Sequence, residues 1–469
     1  MRVLLINPPY SEFLYKKRKG AASVDAPLSL AYIAAVLEEN GREVGILDAN
    51  ALNLSIDEVA ERVLKSGAGI VGLTATTTIM PLAYMLAEKI KETNSDVVIA
   101  IGGPHVTFMP ERTLRECGAI DIVVSGEGEM TMLQLVKNGG RPHGVQGVTY
   151  REGSRIVSNP ARMPMEDLDS LPLPARHLLP VHLYSSGSIM TSGRDGKEFA
   201  SMITSRGCPN KCTFCSSSHF WGTRVRYRSP ENVVREIEFL VDTYGTKEIF
   251  FRDDTFTFSP VRTEQICDLI VEKGLKIKWS CYARAKSITP GLLYKMKKAG
   301  CSVLNFGVES GNQEILDRIK KNMKLEDAER AIRLAKMMHI NTYASFILGL
   351  PGDTRETVRQ TVDFAIKLSS DIVQFFIPSP FPGTELFDEA MEKGWIHKIE
   401  RWDDFSTAAC SNFRNDALTN SQIKAMVAAA YRRFYMRPGY FMQSIMRLVM
   451  NPRMAAKYAA GFFAISDLM

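Results

Sequence analysis

No stretch of this 469-residue chain approaches the ~20 uninterrupted apolar residues that a membrane-spanning helix needs. The N-terminus, MRVLLINPPY, has a charge and an apolar run, but Asn7-Pro8-Pro9 ends that run after about five residues, too soon for a signal peptide. A buried first strand is expected instead, in a cytoplasmic protein. Charge of one sign is also scarce: 58 Lys and Arg against 52 Asp and Glu leave a formal net charge of +6. That balance demands no basic groove, so no nucleic-acid partner is expected. A disulfide framework is missing as well. Of eight cysteines, three crowd together as Cys208, Cys212 and Cys215, while Cys117, Cys267, Cys281, Cys301 and Cys410 are scattered. This pattern fits a reducing compartment and one metal site, with the scattered five as small buried apolar residues.

The composition is otherwise that of a globular protein, with 45% hydrophobic and 23% charged residues. Residues 1–140 alternate short apolar runs with amphipathic stretches. Strands are expected at Val3–Ile6, Glu43–Leu47, Ile70–Thr74, Val97–Ile101 and Ile122–Val124, with helices between them. Such alternation gives an α/β fold, a doubly wound parallel sheet whose ligands sit beyond the strand carboxyl ends. Residues 141–195 change character and read as a linker, with a hairpin around Glu152-Gly153-Ser154 and a Pro- and Leu-rich strap. Residues 196–390 resume the alternation in six strand–helix units, a partial (β/α)6 TIM-like barrel with its reactive end at the strand C-termini. Residues 391–469 read as helical. From Ala428 onward they mix arginines with Met, Phe and Tyr, which suits either a helical cap on the barrel or a peripheral membrane contact.

The sharpest motif is Cys208-Pro209-Asn210-Lys211-Cys212-Thr213-Phe214-Cys215, just after an expected strand and a tight turn at Gly207. Thiolates ligate iron–sulfur clusters, and three of them leave the fourth iron of a cubane open. A structural zinc wants four ligands, for which His219 is the nearby candidate. A second constellation occupies the N-terminal strand ends and the loops beyond them: Asn7-Pro8, Thr74, Gly102-Gly103-Pro104-His105 and Gly126-Glu127-Gly128-Glu129. Glycines there permit close backbone approach to a ligand.

The CxxxCxxC spacing, with Phe214 ahead of the last cysteine, resembles the radical S-adenosylmethionine (SAM) superfamily. The resemblance implies a 4Fe-4S cluster whose open iron chelates SAM, one-electron cleavage of the sulfonium, and a 5′-deoxyadenosyl radical. It further implies a SAM site at later strand ends, with Phe214, Asp253, Asp254, Arg284, Glu309, Lys320, Lys321 and Gly349 as candidates. Asp253 and Asp254 stand where the family contacts the methionine amino group, and Glu309 where it binds ribose. Lys320 and Lys321 are alternatives for the carboxylate contact. Gly349 begins a turn set against the adenine. The ordered N-terminal set resembles the cobalamin-binding domain that precedes the radical domain in cobalamin-dependent radical SAM enzymes. One departure is plain: Asp48-Ala49-Asn50 lacks the histidine that ligates cobalt from below in the methionine-synthase type.

The resemblance implies methylation of an unactivated carbon of a small molecule, with an apolar or lipid-like substrate suggested by the tail and flavodoxin or ferredoxin as electron donor. Two alternatives stay open: a radical cyclase or oxidoreductase without methyl transfer, and a non-catalytic iron–sulfur or zinc module.

Overall fold

The computed structural model describes residues 1–15, 24–185, 198–396, 399, 401–405, 413–440 and 442. The N-terminal sheet contains β1 (Val3–Asn7), β2 (Val44–Asp48), β3 (Ile70–Thr74), β4 (Val98–Gly102) and β5 (Ile122–Val124), followed by β6 (Val148–Glu152) and β7 (Arg155–Ser158). Their spatial order is β2-β1-β3-β4-β5-β6-β7. The first five are parallel, and β6 and β7 add an antiparallel edge. The hairpin expected in the linker is thus part of the sheet, because Val148–Tyr150 is apolar enough to pair with β5 and bury.

Strand alternation sends Leu4 and Ile6 to one face and Val3 and Leu5 to the other, and helices cover both. Helix Ile56–Ser66 shows why these segments form: Ser55 and Glu58 close a capping box, Val59 and Val63 bury one stripe, and Gly67 ends the helix at φ +63°.

The second sheet holds six parallel strands. They are β8 (Phe199–Met202), β11 (Glu248–Phe251), β12 (Lys278–Tyr282), β13 (Cys301–Glu309), β14 (Asn341–Ile347) and β15 (Ile372–Phe376), and a small pair intervenes, β9 (Ser205–Arg206) with β10 (Arg226–Tyr227). The order β15-β14-β13-β12-β11-β8 leaves β8 and β15 unpaired with each other, so the barrel is partial.

Two straps tie the domains. In the first, buried Arg176 donates to the Ser201 carbonyl (2.6 Å) and to Glu236 (2.8 Å), which also pairs with Arg228. In the second, Trp402 donates to Glu116 of the N-terminal domain at 2.8 Å.

Helix Asn420–Tyr435 closes the β15 edge. The Tyr431 hydroxyl accepts from Phe375 N–H and donates to its carbonyl, both at 3.2 Å, and Tyr435 does the same at Val373. The start of the tail is therefore a barrel cap. Arg447, Arg453 and Cys410 lie outside the described residues. Among the described residues, no helix is long and apolar enough to cross a membrane.

Candidate active site

The cysteine loop is locked from both ends. Gly207 has φ +109°, and a Cβ there would stand 2.3 Å from the Arg224 carbonyl oxygen, so only glycine fits. Cys208 N–H donates to Gly222 O (3.1 Å), Thr213 N–H to Ile319 O (3.1 Å), and Leu386 N–H to Thr213 O (2.8 Å). Cys208, Cys212 and Cys215 are free and half-buried. Burial pushes the Cys215 thiol up to about 11 and raises Cys212 too, and the neighbouring thiols add to both shifts.

Among the described residues no three His, Cys, Asp or Glu side chains converge on one ion, and His219 is exposed. Three thiolates serve three irons of a cubane and leave the fourth open, so the donor set fits the cluster.

A cavity of about 250 Å³ opens beside the loop at the barrel mouth. Asp254, Arg284, Asn305, Glu309, Lys321 and Tyr343 are among its walls. Glu309 ends β13 at φ +69°, past a register shift that aims its carboxylate inward. It meets Lys321 Nζ at 2.7 Å. Burial works against the Lys321 charge, but Glu309 and Cys212 outweigh it and raise its pKa. The ammonium also lies 5.9 Å from the Phe214 ring centre.

Lys320, by contrast, turns outward to Glu385 at 2.5 Å and is half exposed. The two adjacent lysines are separated because Lys320 sits at φ +55°, which throws their side chains apart.

The two aspartates separate in the same way. Asp253 is buried, accepting from Thr204 N–H (2.6 Å), Thr204 Oγ1 (2.5 Å) and Ser205 Oγ (2.7 Å), so it braces the start of the cysteine loop and lines neither cavity. Asp254 accepts from the Ser217 hydroxyl and lines both cavities, where partial loss of water raises its carboxyl pKa. Gly349 also lines neither cavity. It has φ +97°, a Cβ on it would lie 2.8 Å from Ile423, and Asp353 and Asn415 hold its turn against the C-terminal helix.

A larger cavity of about 410 Å³ lies between the carboxyl edge of the N-terminal sheet and the cysteine loop. Thr74, Gly102, Gly103, Pro104, Gly126, Glu127, Gly128 and Glu129 line one side. Cys215, Ser216, Ser217, Phe220, Trp221 and Asp254 line the other. Gly103 has φ +119°, and a Cβ on it would lie 2.3 Å from Ala75 O, so the backbone itself forms this wall.

Three expected contributors are elsewhere. Asn7 donates to Asp48 at 2.8 Å, tying β1 to β2, and Pro8 is not among the walls. His105, on the short helix Pro104–Phe108, packs its ring 4.4 Å from that of Trp402 and bonds Thr77 at 3.2 Å. Among the described residues no histidine lines the large cavity. Its backbone-walled, largely apolar cradle fits a large, flat macrocycle approached by main chain. Sequence reasoning missed Tyr32, Arg206 and Trp221 in these walls. Arg206, two residues before Cys208, was the one with a signal.

A profile of the Radical SAM superfamily matches residues 202–365, and one of the B12 binding domain matches residues 21–136. The chain is 37% identical to an uncharacterized methyltransferase of Pyrococcus horikoshii, over 95% of both chains. It is 32% identical to the anaerobic magnesium-protoporphyrin IX monomethyl ester cyclase of Rubrivivax gelatinosus, over 94% of this chain and 78% of that one. Among solved structures, the radical SAM methyltransferase TsrM from Kitasatospora setae superposes with a TM-score of 0.67 at 21% identity, over 84% of this chain and 75% of that one. The cobalamin-dependent radical enzyme OxsB gives 0.71 at 19% identity, over 100% and 71%. Both share the fold. Coverage and identity to the first two relatives, together with the two profiles in this order, place the chain in the radical SAM superfamily, in the group that carries a B12 binding domain ahead of the radical domain.

Proposed function

We propose that this enzyme methylates an unactivated carbon of an apolar, lipid-like substrate held between the two cavities. Membership of the group brings a 4Fe-4S cluster, SAM and cobalamin as cofactors. The observation that carries the reading is Asp254, which lines both cavities at once, with Cys215 beside it in the larger one. A SAM site and a cobalamin site would then share one wall at the cysteine loop.

In this reading Cys208, Cys212 and Cys215 hold the cluster. Arg284, Glu309, Lys321 and Phe214 hold SAM, with Lys321 offering a cation to a carboxylate and Glu309 two acceptor oxygens to a diol. Thr74 and the glycine backbones at 102, 103, 126 and 128 hold cobalamin by its faces and edges. When bound, these cofactors supply reductive sulfonium cleavage and methyl relay. The protein orients them, and Trp221, Phe220 and Ile203 exclude water from the space between.

A second reading, radical cyclisation without methyl transfer, is favoured by the identity to the cyclase. Reduced ferredoxin or flavodoxin would serve either reaction. The test is anaerobic reconstitution with iron, sulfide and hydroxocobalamin, then incubation with methyl-deuterated SAM, dithionite and a lipid extract. Methylation yields 5′-deoxyadenosine, S-adenosylhomocysteine and a lipid heavier by the labelled methyl. Deoxyadenosine without S-adenosylhomocysteine would favour cyclisation, and a label confined to polar products would refute a lipid-like substrate.

A further inference from the structure

Between the two cofactor loops runs a buried ionic clasp. Arg206, on β9, gives one nitrogen to Glu127 (3.0 Å) and another to Glu129 (2.6 Å). Arg226, its partner across the β9–β10 pair, meets the other Glu127 oxygen at 2.6 Å. All four side chains are less than 10% exposed. The Arg206 guanidinium lies 5.2 Å from the Trp221 ring centre and 5.6 Å from that of Tyr32, and both rings shield it from water. Arg226 also donates to Met165 O (2.7 Å) and Trp221 O (3.0 Å), so it cannot drift without moving the strap and the cysteine-loop exit.

The location gives the clasp its meaning. Glu127 and Glu129 flank Gly128 on the loop after β5, a wall of the larger cavity. Arg206 is followed at once by Gly207, where only glycine fits, and then Cys208, whose own N–H is tied to Gly222. Two carboxylates that looked like ligand contacts in the sequence are thus spent on the other domain. A planar fork between two carboxylates fixes angle as well as distance, which a single ammonium would not do.

We propose that Arg206, with Arg226, is a positioning residue that sets the N-terminal cavity wall against the cysteine loop, and hence the spacing between the two cofactors. The proposal rests on the assignment of those cofactors to the two cavities. A loop misplaced by about 1 Å can cost roughly a hundredfold in a reaction between bound groups.

The experiment compares the wild type with Arg206→Lys and with the double variant R206M/E129Q, which leaves no carboxylate facing a lost cation at Glu129. In the chains without cofactors, hydrogen exchange should rise at least about tenfold, together, in the loops at 126–129 and 205–215, while β12–β14 are unchanged. In the reconstituted proteins, paramagnetic resonance of the reduced cluster with cob(II)alamin should show a coupling that is sharp in the wild type and broadened or weakened in both variants. A clasp that is merely structural would lower folding stability and leave that coupling as it is in molecules that still fold.

Independent exchange of the two loops, unchanged coupling in both variants, or failure of both variants to fold would each overturn the proposal. A wild type that retains no cobalamin would instead refute the cofactor assignment, and the exchange measurement would still decide whether the clasp holds the walls together.

Discussion

His105 offers the most quantitative test of how the domains pack. Its ring is 1% exposed, between Thr77 and Trp402, with Glu116 and Arg112 as the charged neighbours. Burial lowers its pKa from 6.5 to about 4; Glu116 opposes this and Arg112 adds to it. The folded protein therefore holds a neutral imidazole where the unfolded chain takes up a proton. Above pH 6.5 neither state is charged and the residue adds no pH dependence. As pH falls from 6.5 towards 4 the unfolded chain gains the proton first, so stability is lost across that window. The loss is about 2 kcal/mol at pH 5 and levels at roughly 3 kcal/mol below pH 4, since each tenfold change in proton affinity is worth about 1.4 kcal/mol.

The assay is urea unfolding of the chain without cofactors at pH 7.5 and pH 5, for the wild type and His105→Gln. The variant loses a fixed amount from the Thr77 contact and the ring packing, but its stability should fall by about 2 kcal/mol less than the wild type between those pH values. Raised carboxyls such as Asp48 and Asp254 pull the other way and are common to both proteins, so the difference isolates His105. Equal pH losses in the two proteins would refute a buried neutral His105.

Three further outcomes follow from the site and its supports. Cys208→Ala, Cys212→Ala or Cys215→Ala should each lose cluster iron and abolish 5′-deoxyadenosine formation, while Cys267→Ala, in the barrel core, should keep the full iron content. Lys321→Met should weaken SAM binding by about tenfold or more, measured by equilibrium dialysis, because it removes the cation offered to the SAM carboxylate; Lys320→Met should change stability by less than about 1 kcal/mol and leave binding alone, since its pair is exposed. Tyr431→Phe and Tyr435→Phe each strip a hydroxyl that satisfies both polar groups of an edge residue, and each should cost about 1–3 kcal/mol in urea unfolding.

The amino-acid sequence by itself determined the architecture and singled out the cysteine triad. Strand–helix alternation placed β1–β5 within a residue or two and gave the six barrel strands, because hydrophobic period and turn signals are local. The cysteine spacing is local as well, so the triad needed no structure to be found. The sequence could not tell which of two neighbours faces a ligand. Asp253 and Asp254, and Lys320 and Lys321, are chemically equal on paper. Their opposite fates follow from backbone angles and from distant partners: Thr204 for Asp253, Glu385 for Lys320. His105 and Gly349 sat in the expected loops, yet contacts with Trp402 and Ile423, both far from them in the chain, turned them from the cavities. Glu127 and Glu129 moved from ligand candidates to a clasp for the same reason. Their partners Arg206 and Arg226 lie in the next domain, and only the folded chain brings the four charges within 3.0 Å.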